Sequence, residues 1–254
     1  MARQKAPVKS AKTTLRIIES LRELDGAGVT EIANRLERPT STIHDHLLTL
    51  ENEEYLISDD DGTYRVGARF LELGEQVRKR MKIYTIARPE IESLAEETGE
   101  HSNLMIEEHG RGVFLFRARG SDAVQLDTHA GKRVHLHTTA LGKAIMAYRP
   151  QKEVESILQN HGIPKITEET ITSKNKLYEE LSEIRDSGVA FDNEERVNGM
   201  RCVAVPITDA NDRAIAAMSV SGPKSRMIGE KFREKIPNRV LKSANVIEVN
   251  MAYT

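Results

Sequence analysis

Two clusters of helix-breaking residues, Asp25-Gly26-Ala27-Gly28 and Pro39-Thr40-Ser41-Thr42, cut the start of the chain into three short helical segments. The first, Lys12 to Leu24, repeats apolar residues at Leu15, Ile18, Leu21 and Leu24, with Ile17 beside them, which is the period of an amphipathic helix. The second runs from Glu31 to Leu36 behind Thr30 as its N-cap and turns Ile32, Ala33 and Leu36 inward. The third opens on the polar cluster and carries Ile43, Leu47, Leu48 and Leu50 as its apolar stripe. Beyond it, Tyr55 to Ser58 and Thr63 to Val66 flank Asp59-Asp60-Asp61-Gly62, two β-prone runs around an Asp-Gly turn, which predicts a hairpin.

A short helix, a tight turn and a second helix with a polar leading end have the arrangement of a helix-turn-helix, and a hairpin directly afterwards makes a wing. A helix that enters the major groove end-on needs polar residues at that end and apolar ones behind. Thr40, Ser41 and Thr42 offer hydroxyls and helix-start N–H groups suited to phosphate. His44 and His46 have imidazoles for base edges, while Asp45 suits a cytosine amine or a capping role. Lys12, from a basic arm that holds Arg3, Lys5, Lys9, Lys12 and Arg16 before the first acidic residue, joins this DNA-facing set, as do Arg38 and Arg65, with Arg69 beside them. The three aspartates at the wing tip would repel phosphate, so the tip is expected to stay off the backbone. The same spacing also fits an ordinary three-helix subdomain with a capped third helix.

Arg69 to Met81 reads as a helix, and the apolar stripe continues through Ile83, Tyr84, Ile86, Ile91 and Leu94 with a break expected at Arg88-Pro89. The expected organisation is a winged domain over 1–74, a linker helix over 75–87 and a second domain over 88–254. In that second domain Ser102 to Glu107, Val113 to Arg117, Val124 to Asp127, Arg133 to His137, Cys202 to Thr208 and Ala214 to Ser221 read as extended. Thr138 or Thr139 caps a helix through Ala140 to Ala147. Glu153 to Leu158, Lys174 to Arg185 and Ile236 to Met251 complete the helices. Adjacent hairpins followed by helices predict an α+β domain, an antiparallel sheet with helices packed on it.

Composition closes off several classes. The 254 residues hold a single cysteine, Cys202, which forbids an intramolecular disulfide and a multi-thiolate zinc site. Apolar runs fall far short of the roughly 20 residues needed to cross a bilayer, and Met1 to Lys12 has no apolar h-region, so no membrane partner and a cytoplasmic location are expected. No phosphate loop, HExxH or GxSxG motif is present, and no cofactor or metal is expected. The net charge of -2 does not itself point to nucleic acid.

The N-terminal helix-turn-helix, then Leu136-His137-Thr138-Thr139-Ala140-Leu141-Gly142-Lys143-Ala144, then Gly199-Met200-Arg201-Cys202-Val203-Ala204-Val205-Pro206-Ile207, then Ser219-Val220-Ser221-Gly222-Pro223 occur in an order and spacing that resembles the IclR family of transcriptional regulators. The resemblance implies a winged helix-turn-helix, a linker helix and a C-terminal GAF-like effector-binding domain. It implies dimers, often paired into tetramers, that bind a palindromic double-stranded DNA operator and answer to a small, usually anionic metabolite. Carried over motif by motif, it places Ala140, Leu141, Asp192, Cys202, Ser219 and Ser221 in the effector pocket, with Ala123, Leu126 and Val134 as its apolar wall. The recognition stretch Thr40 to His46 departs from the commoner basic or aromatic pattern, so an operator sequence does not transfer.

The residues alone leave other readings open. Ser219 and Ser221, two apart on a strand, share one face of the sheet, and either line a site or bond neighbouring backbone. Cys202 with His135 or His137 would be a nucleophile and base, and His129, His135, His137 with Asp127 would be a metal set. Nothing in the sequence brings either group together. A sensor that works through protein partners is the remaining alternative.

Overall fold

The computed structural model describes residues 7–253, so Arg3 and Lys5 of the basic arm lie outside the described residues. Internal contacts divide the chain between Val77 and Arg78 into two units.

In the first unit α1 (Lys9–Leu24), α2 (Val29–Leu36) and α3 (Thr40–Asn52) bury Ile17, Leu21, Ile32, Ala33, Leu36, Ile43, Leu47 and Leu50 against one another. Asp25, in the left-handed region, ends α1 and returns its N–H to Leu21. The second helix starts two residues earlier than its sequence suggests: Gly28 stands at the N-cap and Thr30 lies inside, with no side-chain cap. Leu15 and Leu48, apolar by position, are exposed. The hairpin pairs β1 (Leu56–Ser58) with β2 (Tyr64–Val66), and Tyr64 exchanges two backbone hydrogen bonds with Ala27, which anchors the wing to the α1–α2 turn. This is a winged helix-turn-helix. It leads into α4 (Arg69–Lys79), none of whose residues is buried.

The apolar stripe that follows does not break at Pro89. The break falls at Arg80 and Met81, and α5 (Lys82–Thr98) runs through the proline. A proline in a helix interior forgoes one backbone bond and costs about 3 kcal/mol. Burial of Tyr84, Ala87, Ile91, Leu94 and Ala95 along one face of α5 offsets that cost.

The second unit is built on a six-stranded antiparallel sheet. Its strands are β3 (His101–Glu108), β4 (Arg111–Arg119), β5 (Arg133–Val134), β6 (Ala190–Asn193), β7 (Met200–Thr208) and β8 (Ala214–Pro223), in the order β5-β4-β3-β8-β7-β6. Val124 to Asp127, expected to be extended, is loop, and the expected strand at 133–137 is only two residues long before Leu136–Thr138 turns into a 3-10 helix. The strand β6 had no expectation of its own. Alternation sends Val203, Val205, Ile207, Ala216, Met218 and Val220 to one face, where α5 and α9 (Ile236–Tyr253) cover them. Cys202, Ala204 and Ala217 face the other way, under α6 (Ala140–Ala147), with α7 (Gln151–His161) and α8 (Lys174–Ser187) beyond. Pro206 is tolerated in β7 because pairing with β6 ends at Ala204, so no second neighbour needs its missing N–H.

Every residue of α6 is buried, and Gly142 lets it sit that close: a Cβ there would lie 2.1 Å from the Leu136 carbonyl oxygen. Gly142→Ala is expected to destabilise the second unit by about 3 kcal/mol and to lower its Tm by about 6–12 °C. Calorimetry showing an unchanged transition would contradict this packing.

Candidate functional site: a recognition helix and a polar cavity

In the first unit, packing of Ile43, Leu47 and Leu50 leaves Thr40, Ser41, Thr42, His44 and Asp45 exposed on α3, with Arg38 just ahead of them and Lys12 exposed on α1. Glu37, at φ 53, makes the tight turn that sets this helix against α2. His46 is placed differently. It is half-buried, and its Nδ1 lies 2.9 Å from Thr14 Oγ1, so it joins α3 to α1 rather than projecting outward.

Arg65 is engaged within the unit. Its Nε donates to Asp59 (3.0 Å) and its guanidinium to the Asp25 carbonyl, packed over Gly26, where a Cβ would come within 2.8 Å of it. Arg69 lies 4.9 Å from the Tyr55 ring centre and donates to the Glu53 carbonyl at 2.7 Å. Asp61 accepts from Thr63 N at 2.9 Å, so part of the tip's acidity shapes the turn.

In the second unit a cavity of about 40 Å³ opens between the sheet and the start of α6. Of the residues expected there, Leu126, Leu141, Asp192, Cys202 and Ser221 line it. Ala123, Val134, Ala140 and Ser219 are buried but are not among the lining residues. Ser219 sits one layer down: Asn103 Nδ2 donates to both Ser219 Oγ and Ser221 Oγ at 3.1 Å, which puts both hydroxyls on the cavity face of the sheet. Ala123 instead gives its carbonyl to Arg119 at 3.0 Å.

The walls also include Asn103, Phe114, Thr128, Thr139 and Arg196, which sequence reasoning did not place. Asn103 stands opposite Ser219 across the β3–β8 register, a pairing between residues 116 positions apart that no local pattern reveals. Thr139 was legible as a cap, and its Oγ1 does accept from Gly142 N at 2.9 Å. Arg196 follows the Phe191 to Glu195 motif directly, the one signal by which it was accessible.

The electrostatics of the wall follow from burial. Asp192 accepts from Glu195 N at 2.8 Å, yet its carboxyl is pushed up to about 7, first by loss of solvent and then by the neighbouring Glu195. Near neutral pH it therefore divides between acceptor and donor. Burial, reinforced by Asp192, pushes the Cys202 thiol up to about 12, which leaves no thiolate for nucleophilic chemistry. Burial, reinforced by the Arg111 guanidinium 2.8 Å away, holds His135 down at about 4, and His137 points its Nε2 to the Pro164 carbonyl at 3.1 Å. Among the described residues no three His, Cys, Asp or Glu side chains gather as a metal site would require.

Facing Phe114, Leu126 and Leu141 stand groups that can donate: the start of α6 at Thr139 and Leu141, the hydroxyls of Thr139 and Ser221, and the Arg196 guanidinium, which already binds Thr128 and Asp127. Donors of this kind suit a small polar molecule with an anionic group. A winged helix-turn-helix on the same polypeptide as such a cavity defines the class of ligand-responsive transcriptional regulators.

Comparison with known proteins narrows the class to a family. Residues 75–249 match the bacterial transcriptional regulator IclR C-terminal domain, and residues 10–60 match the IclR helix-turn-helix domain. The chain is 32% identical over 246 residues to the HTH-type transcriptional regulator BhcR of Paracoccus denitrificans, covering 96% of this chain and 88% of that protein. It is 30% identical over 247 residues to the probable HTH-type transcriptional regulator ArcR of Halobacterium salinarum, covering 96% and 94%. Among solved structures, Thermotoga maritima IclR superposes with a TM-score of 0.76 at 29% identity over 96% of this chain and 98% of that one. An IclR homolog from Microbacterium hydrocarbonoxydans, complexed with 4-hydroxybenzoate, shares the fold with a TM-score of 0.81 at 23% identity over 96% and 100%. The chain belongs to the IclR family. It is a transcriptional regulator, not an enzyme, with an N-terminal DNA-binding domain and a C-terminal effector domain. No helix of the described residues is long and apolar enough to cross a membrane.

The raised Asp192 carboxyl gives a pH test. Its folded value exceeds the unfolded one, so its contribution to stability is full below about 4 and is lost as pH rises through about 7. The Tm of Asp192→Asn minus that of the parent should therefore become more positive between about pH 5 and 8. A difference constant across that range, measured in one buffer series, would remove Asp192 as a titrating group.

Proposed function

We propose that the chain binds a palindromic operator as a dimer or tetramer, in the cytoplasm, and that a small anionic metabolite bound in the cavity changes its grip on that operator, with a catabolic operon as its target. The observation that carries this reading is the cavity itself: helix-start N–H groups, Ser221, Thr139 and Arg196 converge on a volume fit for a short acid. The relative crystallised with 4-hydroxybenzoate, itself an organic acid, supports the anionic class. On the DNA side, the free polar end of α3 with Arg38 supports groove reading by Thr40, Ser41, Thr42, His44 and Asp45. Lys12 adds a phosphate contact from α1. His46 and Arg65 act in this reading by holding α3 and the wing in place.

Oligomers suit palindromic operators because two-fold related half-sites need two-fold related readers. The exposed aliphatic side chains of Leu71, Leu73 and Val77 on α4 support such a contact. Ser219 supports the effector site from the second layer, as do Ala123, Val134 and Ala140, by backing the residues that touch the ligand.

Fluorescence anisotropy with duplexes from the region upstream of the chain's own gene tests the proposal between about 50 and 200 mM salt. Sequence-preferring binding is expected. Arg38→Ala should lower the slope of log affinity against log salt by about 1. Ser221→Ala should leave effector-free DNA affinity within about twofold while blunting the effector response. Binding no better than to competitor DNA at every salt would overturn the operator reading.

A further inference from the structure

The loop between β4 and β5 roofs the cavity, and cations fasten it through its own carbonyl oxygens. Arg119 donates to Ala123 O at 3.0 Å, Arg117 to Leu126 O at 3.4 Å and to Thr128 O, and Lys132 to Asp127 O at 3.2 Å. Arg196 reaches across from the loop after β6 to Thr128 Oγ1 and to the Asp127 carboxylate, both at 3.1 Å, with its guanidinium 5.5 Å from the Phe114 ring centre. Four cations therefore meet at this roof, and one carboxylate, Asp127, answers Lys132 and Arg196. Among the described residues neither Arg117 nor Arg119 makes an ion pair; their partners are carbonyls and, for Arg117, the His101 imidazole.

This surplus has a direction. The same cavity is also lined by the start of α6, with Ser221 and Thr139, groups that can donate to a first anionic group. Arg196 lines the cavity at the roof, side-chain exposure 14%, while Asp127 beside it is 64% exposed. A ligand group with carboxylate geometry takes the place of Asp127 on Arg196 without leaving a buried charge behind, because the displaced Asp127 returns to water. The planar, two-pronged guanidinium prefers a carboxylate to a hydroxyl or an amide.

We infer that the effector is a short dicarboxylate, one carboxylate held at the α6 start and the other on Arg196 in exchange for Asp127. This rests on reading the cavity as the effector site. Arg196 is then the specificity-determining residue, and the Arg196–Asp127 pair is the closure that a correct ligand replaces.

Calorimetric titration of the full chain with malonate and succinate, against propionate and butyrate, at about 0.15 M salt, tests it. The dicarboxylates are expected to bind at least about tenfold tighter than the monocarboxylates of matching length. Arg196→Gln should erase that preference while monocarboxylate binding persists, Arg196→Lys should keep part of it, and Asp127→Asn should strengthen dicarboxylate binding by freeing the guanidinium. A thermal transition within a few degrees of the parent's qualifies each variant as folded, and Asp127→Asn reads the same exchange from the other partner. Equal binding of both acid classes, or a preference that survives Arg196→Gln, overturns the inference and leaves the cavity reading intact. Silence from all four acids overturns it as well, while the anisotropy titration, which needs no ligand, judges the regulator reading separately.

Discussion

A fully buried ammonium organises the effector domain. Lys143 sits in the middle of α6 with no exposed surface, donating to Glu195 Oε1 at 2.5 Å and to Glu180. Burial alone would pull its pKa down, but the two carboxylates outweigh that and hold it above the ordinary lysine value. Such a triad adds little stability over apolar residues of the same shape. What it supplies is position. Glu180 belongs to α8 and Glu195 to the loop after β6, so one ammonium fixes α6, α8 and that loop against each other. Glu195 is held further by its own backbone: its N–H goes to Asp192, and its carbonyl accepts from Thr167 and Thr170 at 3.1 and 2.6 Å. The next residue is Arg196, whose place at the cavity is thereby set by a lysine that does not touch it.

The sheet beneath supplies the other half of the arrangement. Strand alternation gives β7 and β8 two unlike faces, branched aliphatics toward α5 and α9, small or polar residues toward α6. Ala204 and Ala217 leave room for α6 to lie close, as Gly142 does from the helix side. Close approach is what brings the N-terminal donors of α6 to the level of Ser221 and Asn103. A bulkier face would have filled the same space with packing and left no cavity.

Much of this was legible in the chain. Period-3.6 stripes, the Asp-Gly hairpin and the Thr139 cap are local signals, and the winged unit and α6 follow from them. The cavity was legible only through the motifs that carry the family resemblance, which name Leu141, Asp192, Cys202 and Ser221 but not what stands opposite. Asn103 and Thr128 are ordinary polar residues until register and loop closure bring them in. His46 looks like a base reader by spacing, but Thr14 lies within hydrogen-bond distance across the helix pair. Pro89 misleads for a related reason: a local breaker is overridden when the helix around it has a deep apolar face to bury.

The two units share a feature that bears on selectivity. In each, the guanidinium nearest a prospective ligand is already bound to oxygens of the protein, Arg65 to Asp59 and the Asp25 carbonyl, Arg196 to Asp127 and Thr128. A ligand that met free cations would gain from any negative charge at all. One that must replace an existing partner gains only the difference between its own geometry and the incumbent's, which removes most of the reward for charge and keeps the reward for shape. At the wing this leaves discrimination to the exposed end of α3. At the cavity it sets a threshold that a solvated acid of the wrong length does not pass, since it cannot reach Arg196 and the α6 start together. Occupancy then becomes a statement about the ligand's two ends and the distance between them.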